Sequence, residues 1–315
     1  MRQYPKTITL ILSILYLLYI NQILLNLYFG AASSDIHNYI FNINKTLEQG
    51  SVLDNKWFFY TVIRNINLWL GPFNSYEIFF FILSVNVFLL SHKLFQSIFY
   101  VKKKLLSFIL VLLILLTPSV FELIAANIRS GTAFVIFLYG IKSKSRLIKL
   151  IFISLSIMTH FWILLLLSLY ILFFILKKTN ITRGSTFLSI LFLIFFGLIT
   201  NLLIKNIIFT GAYQYSFLYS ILLYFITAVF IHYNKKILQN EDGFVSIGLM
   251  LFLLMSFFFD INIIRYLPVA FILFGISVIN NHNINILKNY TFVYFFLVII
   301  FQFYFFLNLI FYGYI

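Results

Sequence analysis

Long apolar runs, broken only by short polar stretches, follow one another along the whole chain, and this pattern limits the fold more than any motif does. A helix needs about 20 such residues to cross the ~30 Å hydrocarbon layer of a bilayer. The runs fall at 7–29, 76–95, 105–118, 121–141, 147–159, 161–176, 185–204, 217–232, 244–259, 265–279 and 290–311. They predict about 11 crossings, some of them short. Composition argues against a soluble alternative: 63% of 315 residues are hydrophobic and 10% charged, with 42 Phe. A soluble fold of this size leaves too much of its chain at the surface to hide that apolar area. The expected fold class is therefore all-α, a polytopic transmembrane helical bundle forming one membrane domain over 1–315. The run after Lys6 has no small-residue cleavage site near its end, so it reads as a retained span.

The net charge of +14 would point to nucleic acid in a soluble protein. Here it has a membrane explanation. With the N-terminus inside, the basic residues at 2, 6, 93, 102–104, 142–149, 177–183, 235, 236 and 288 are cytoplasmic. Only Lys45, Lys56, Arg64, Arg129, Lys205 and Arg265 fall outside, the asymmetry that the positive-inside rule describes. No basic stripe with spaced aromatics lies outside the spans, so nucleic acid is not an expected partner. A straight helix over 147–176 would reach about 45 Å, well beyond the hydrocarbon layer. Basic clusters flank it on both sides, so the chain is expected to turn back at Thr159–His160, by two crossings or a re-entrant hairpin.

The longest polar stretch, 30–64, falls outside. Tyr39, Ile40, Ile43 and Leu47 recur there at helical spacing beside Asp35, His37, Asn38 and Asn42, which predicts a short amphipathic helix on the membrane surface. Trp57 and Trp69 would sit at the interface. The acids divide as unevenly as the bases: Asp35, Glu48, Asp54, Glu77, Glu122 and Asp260 lie outside, and only Glu241 and Asp242 inside, where they read as a charged loop. His92, His232 and His282 map to the cytoplasmic side and read as solvated.

Ionisable groups at membrane depth cost a few kcal/mol and mark functional cavities. Arg129 lies within 121–141, about two turns inside the span on a continuous helix, sharing a face with Glu122, Ala126 and Ala133. Small residues Ser130, Gly131 and Thr132 follow it and admit close backbone approach. Arg129 is either a snorkelling helix-end residue or an anion ligand. Arg265 either pairs locally with Asp260 or joins Arg129 in a clamp for a phosphate or diphosphate, which guanidinium groups bind bidentately. His160 is either a helix-end residue or a proton relay and sugar contact. Asp35 is either a solvated acid or a general base. No metal-ligand spacing occurs, there is no Cys, and neither a metal nor a cofactor is expected.

Three ordered blocks carry a resemblance. They are Ser34-Asp35-Ile36-His37-Asn38-Tyr39 with the later Trp57-Phe58-Phe59-Tyr60; Asn127-Ile128-Arg129-Ser130-Gly131-Thr132-Ala133; and Thr159-His160-Phe161 after a basic loop. In order and spacing over roughly 1–280 the chain resembles the EpsG-like branch of the bacterial polysaccharide polymerases, which includes the Wzy-type O-antigen polymerases. The blocks are similar to that family's Asp-Tyr-x-x-Tyr region, its Asn-x-Arg-Gln-x-x-Ala stretch and its hairpin His, and Arg265-Tyr266 is similar to a further family Arg. Ser130 stands where Gln is usual, and Ile36 where Tyr is usual.

The resemblance implies a membrane glycosyltransferase that joins undecaprenyl-diphosphate-linked oligosaccharide repeat units on the non-cytoplasmic face, in O-antigen, capsule or exopolysaccharide biosynthesis. Its partners would be the lipid-linked donor and acceptor, membrane lipid and a chain-length regulator protein. Arg129 and Arg265 would hold the diphosphate; Asp35, Glu122 or His160 would supply the base; Tyr39, Asn127 and Asp260 would contact glycan. The alternative is a flippase for lipid-linked oligosaccharide or another transporter. A transporter calls for polar residues continuing toward the cytoplasm and often for internal repeats, and neither is evident.

Overall fold

The structure is a computed structural model that describes residues 4–19, 34–49, 57–71, 73–98, 104–117, 120, 123–124, 127–179, 186–205, 235–258 and 267–280. Among them every regular element is helical. In chain order these are α1 (Tyr4–Tyr19), α2 (Ser34–Gln49), α3 (Trp57–Leu70), α4 (Ser75–Ile98), α5 (Lys104–Leu116), α6 (Ile128–Ile141), α7 (Arg146–Thr159), α8 (Ile163–Lys178), α9 (Thr186–Lys205), α10 (Glu241–Phe258) and α11 (Leu267–Asn280). A 3-10 turn, Lys235–Gln239, precedes α10. The expected runs at 217–232 and 290–311 lie outside the described residues.

Among the described residues one helix, α4, is long and apolar enough to cross a membrane. Its 24 residues reach about 36 Å. Shorter apolar helices include Ile128–Ile141, Leu188–Leu202 and Leu267–Asn280. Exposed apolar surface is extensive: α7 presents Leu147, Ile148, Leu150, Ile151, Leu155 and Met158, while only its Ser156 and Thr159 are buried. That is inverted relative to a helix in water, and apolar solvent accounts for it.

The chain divides into two compact units, the first comprising Met1–Phe99, Phe121–Leu164 and Tyr304–Ile315, the second Tyr100–Val120 and Leu165–Phe303. In the first, α4 packs against α1, α2 and α6, and α6 against α7. Polar bonds fix these pairings. Asn86 Nδ2 donates to Thr132 Oγ1 at 2.9 Å, and the Tyr139 hydroxyl to the Leu89 carbonyl at 3.1 Å, tying α4 to α6. Ser156 Oγ donates to the Ala133 carbonyl at 2.6 Å, tying α7 to α6. The latter helices meet so closely that a Cβ on Gly140 would stand 2.7 Å from Phe152 Cβ.

In the second unit, α10 packs against α9 and α11, and α11 against α5. Asp242 is not in a solvated loop, as its neighbours in sequence suggest. It sits in the first turn of α10, 1% exposed, and accepts a 2.7 Å hydrogen bond from the Tyr170 hydroxyl. Its backbone N–H donates to Asn240 Oδ1, an Asx cap that starts the helix before Glu241 and draws the carboxylate inside. Asn201 Nδ2 bonds the Gly197 and Phe252 carbonyls, and Ser246 Oγ the Ala270 carbonyl. His92, in the first unit, is likewise not fully solvated: its Nδ1 is buried and its ring stacks on Phe88.

Candidate functional site

The site belongs to the first unit and begins with two helices from the polar stretch over 30–64. The helix expected around Tyr39 is present as α2, with Ile36, Ile40 and Ile43 buried and His37 and Asn38 exposed. Its buried face meets α4 and α3, so protein covers what the sequence assigned to a membrane surface. The second helix, α3, was not expected. Phe59, Tyr60 and Ile63 are all buried along it, at the one-turn spacing that the sequence does contain. It packs against α2 and α7.

The third component is the start of α6, and it corrects the expectation of an unbroken helix over 121–141. The helix opens at Ile128 with Asn127 as its N-cap, so Arg129 lies in its first turn and not two turns deep. Leu123 and Ile124 are helical, yet a Cβ on Gly131 would stand 2.6 Å from the Leu123 carbonyl oxygen. Residues eight apart in a straight helix are separated by about 12 Å, so Leu123 and Ile124 do not continue the axis of α6 but lie beside its first turns. Gly131 permits that approach. Asn127 is 5% exposed and makes no side-chain cap bond.

The fourth component is the turn at His160. Here the expected break occurs: α7 ends at Thr159, His160 is extended (φ −156°, ψ 118°), and α8 begins at Ile163. The Thr159 hydroxyl bonds back to the Leu155 carbonyl, and the His160 N–H to that of Ser156. The half-buried imidazole lies edge-on to Trp162, with ring centroids 6.3 Å apart.

These components converge. Arg129 Nη2 lies 3.4 Å from His160 Nε2. A guanidinium only donates, so this contact requires Nε2 to accept and assigns the imidazole proton to Nδ1. Arg129 is half-buried, and its Nε is buried without a hydrogen-bond partner. The Tyr60 hydroxyl is buried without a standard hydrogen bond as well, although Asn42 is near enough to act on it. Burial pushes the Tyr60 phenol well above its ordinary pKa; Tyr39 adds to the rise, while Arg129 and Asn42 oppose it. Tyr60 is therefore protonated at neutral pH.

No protein-family model, curated protein or solved structure matches this chain. The site is thus described by its own residues. Arg129 and His160 come together, Asn127 caps the helix that carries Arg129, and Tyr39 acts on Tyr60. Asp35 lies on the first turn of α2, one helical turn before Tyr39. Glu122, Asp260 and Arg265 lie outside the described residues. Tyr60 is the site residue to which sequence reasoning gave no role, although it stands in the aromatic block that was singled out. Chemically, the cluster offers a guanidinium at a helix N-terminus, a protonated phenol and a neutral imidazole, a donor set suited to an oxyanion beside a proton acceptor.

Proposed function

We propose that this protein is a membrane glycosyltransferase that joins polyprenyl-diphosphate-linked oligosaccharide repeat units on the non-cytoplasmic face, a polysaccharide polymerase. The observation that carries this reading is the Arg129–His160 contact, together with the Tyr39–Tyr60 neighbourhood beside it. Residues from blocks far apart in sequence meet: Arg129 of the second block touches His160 of the third. These are the blocks on which the resemblance to the EpsG-like polymerases rests. The basic-residue asymmetry supports a cytoplasmic N-terminus and about 11 spans in a bacterial plasma membrane, with the cluster facing outward.

In this mechanism Arg129 binds the diphosphate of the donor and stabilises the negative charge that grows as the C1–oxygen bond to phosphate breaks. A hydroxyl of the acceptor sugar forms the new bond to C1. Its proton passes to a base, and the lipid diphosphate leaves. His160 suits the base because its Nε2 is unprotonated in the resting contact, and a phosphate that draws Arg129 away would release that nitrogen. Asp35 and Glu122 are the carboxylate candidates for the same role.

The test is the surface glycan of a deletion strain complemented with wild type or with Arg129→Ala. Single repeats in place of a ladder, at normal protein levels, are expected for both the deletion and the variant. A full-length ladder from well-expressed Arg129→Ala would refute the reading. Transport of a labelled lipid-linked oligosaccharide in proteoliposomes, with glycan length unaffected by deletion, would favour a flippase instead.

A further inference from the structure

The pairing of α6 with α7 poses a problem of register. In lipid, apolar contact does not favour one sliding position of a helix over another, because tails and side chains are equally apolar. The surface of α7 illustrates this: it turns Leu150, Leu155 and Met158 outward and buries Ser156 and Thr159. Its position on α6 must therefore come from close packing and hydrogen bonds. Three contacts run along the pair: Gly140 against Phe152, the Ala133 carbonyl against Ser156, and Arg129 against His160. Residue numbers fall along α6 as they rise along α7, so the two helices are antiparallel. The middle contact is a buried 2.6 Å hydrogen bond donated by Ser156 Oγ.

Ser156 also grips His160, because its backbone carbonyl accepts the His160 N–H at 3.0 Å. Ala133 stands one helical turn after Arg129, as His160 stands one turn after Ser156. A slip of one residue would carry each side chain of α7 about 1.5 Å along the axis and about 100° around it, parting the imidazole from the guanidinium. The start of α6 is held independently: Thr132 Oγ1 donates to the Ile128 carbonyl and accepts from Asn86 Nδ2 of α4. We propose that Ser156 is a positioning residue that locks the register of α7 on α6 and so holds His160 Nε2 on the Arg129 guanidinium. Its consequence for transfer rests on the reading of Arg129 as diphosphate ligand and His160 as base. Loss of the lock leaves Arg129 in place, through Asn86 and Thr132, and frees the imidazole.

The experiment follows the His160 tautomer by nitrogen NMR of isotope-labelled protein in detergent, with the signal assigned by its loss in His160→Gln. Wild type should carry the proton on Nδ1, as contact with a pure donor requires. Ser156→Ala and Arg129→Ala should each lower the ratio of the Nδ1–H to the Nε2–H form about tenfold, the worth of one hydrogen bond to a charged group. Tyr139→Phe, which loosens α4 from α6 by removing the bond to Leu89, should leave the ratio unchanged. A wild-type ratio in Ser156→Ala overturns the proposal. So does an equal fall in Tyr139→Phe, which would make the effect a general loosening. Pyrophosphate affinity of purified Ser156→Ala should match wild type; a tenfold loss would mean that Ser156 positions Arg129 instead and would also overturn the proposal. In cells, Ser156→Ala should shorten the glycan ladder. A full-length ladder beside a shifted tautomer would uphold the lock and refute His160 as the base.

Discussion

The interiors of the two units handle polarity differently. In the second, the strongest buried group is the Asp242 carboxylate, and Tyr170 donates to it directly. Asn201 and Ser246 engage backbone carbonyls of neighbouring helices, and among the described residues the buried groups there without a hydrogen-bond partner are an amide oxygen of Asn201 and the hydroxyls of Ser107 and Ser277. In the first, Arg129 Nε is buried without a hydrogen-bond partner, and the enclosed Tyr60 phenol has Asn42 beside it. A paired polar group joins helices. An unpartnered donor wastes stability unless something binds it. The difference teaches where to look for a ligand in a chain that is apolar nearly everywhere.

Perturbing each unit should break that contrast or sharpen it. Arg129→Ala has the largest expected effect, a fall in repeat-unit transfer of roughly 100-fold or more with little change in thermal stability, read as loss of the glycan ladder. Gly131→Ala should disturb both properties. Its new Cβ meets the Leu123 carbonyl at 2.6 Å, a backbone atom that cannot swing aside, and destabilisation of about 1–3 kcal/mol is expected with reduced transfer. Tyr170→Phe should cost about 1–3 kcal/mol, measured by unfolding in detergent, and leave ladder length unchanged for the protein that remains folded. Shortened glycan at full stability would show that the second unit takes part in the chemistry and would dissolve the contrast.

Smaller effects sharpen the picture within the first unit. Ser156→Ala removes the 2.6 Å bond to Ala133 and should cost about 1 kcal/mol, without altering pyrophosphate affinity. The pH dependence of Tyr60 is the mildest signal. Its pKa is raised in the folded state above 10.0, so above that pH the folded protein binds more protons than the unfolded chain. Stability from this group is complete below pH 10.0 and is lost as pH rises. Melting curves of wild type should therefore fall more steeply in alkali than those of Tyr60→Phe. Parallel curves would mean that the phenol is not enclosed as described.

Much of the site was legible in the sequence because its residues violate the surrounding pattern. Arg129 and His160 stand out in apolar runs, and the helix break at Thr159–His160 followed from the length of the run together with the basic clusters on both sides of it. The isoleucines of α2 announce its buried face through their spacing. Other features gave no such sign. Tyr60 hid in an aromatic block, where one more aromatic residue carries no information until its hydroxyl is found enclosed. Asp242 read as a loop acid because its partner lies 72 residues away, at Tyr170. The break before Ile128 was invisible because Leu123–Ile128 contains no Pro or Gly, and hydropathy does not distinguish a continuous helix from a broken one.

Hydropathy and charge count, properties of the chain read in one dimension, sufficed for the helical class and for the choice of Arg129 and His160 as residues needing an explanation. Distance did not follow from them. That the guanidinium meets the imidazole at 3.4 Å depends on how α6 and α7 pack. Packing alone decides which polar groups find partners and which await one, because a hydrogen bond is short and directional while hydropathy is neither.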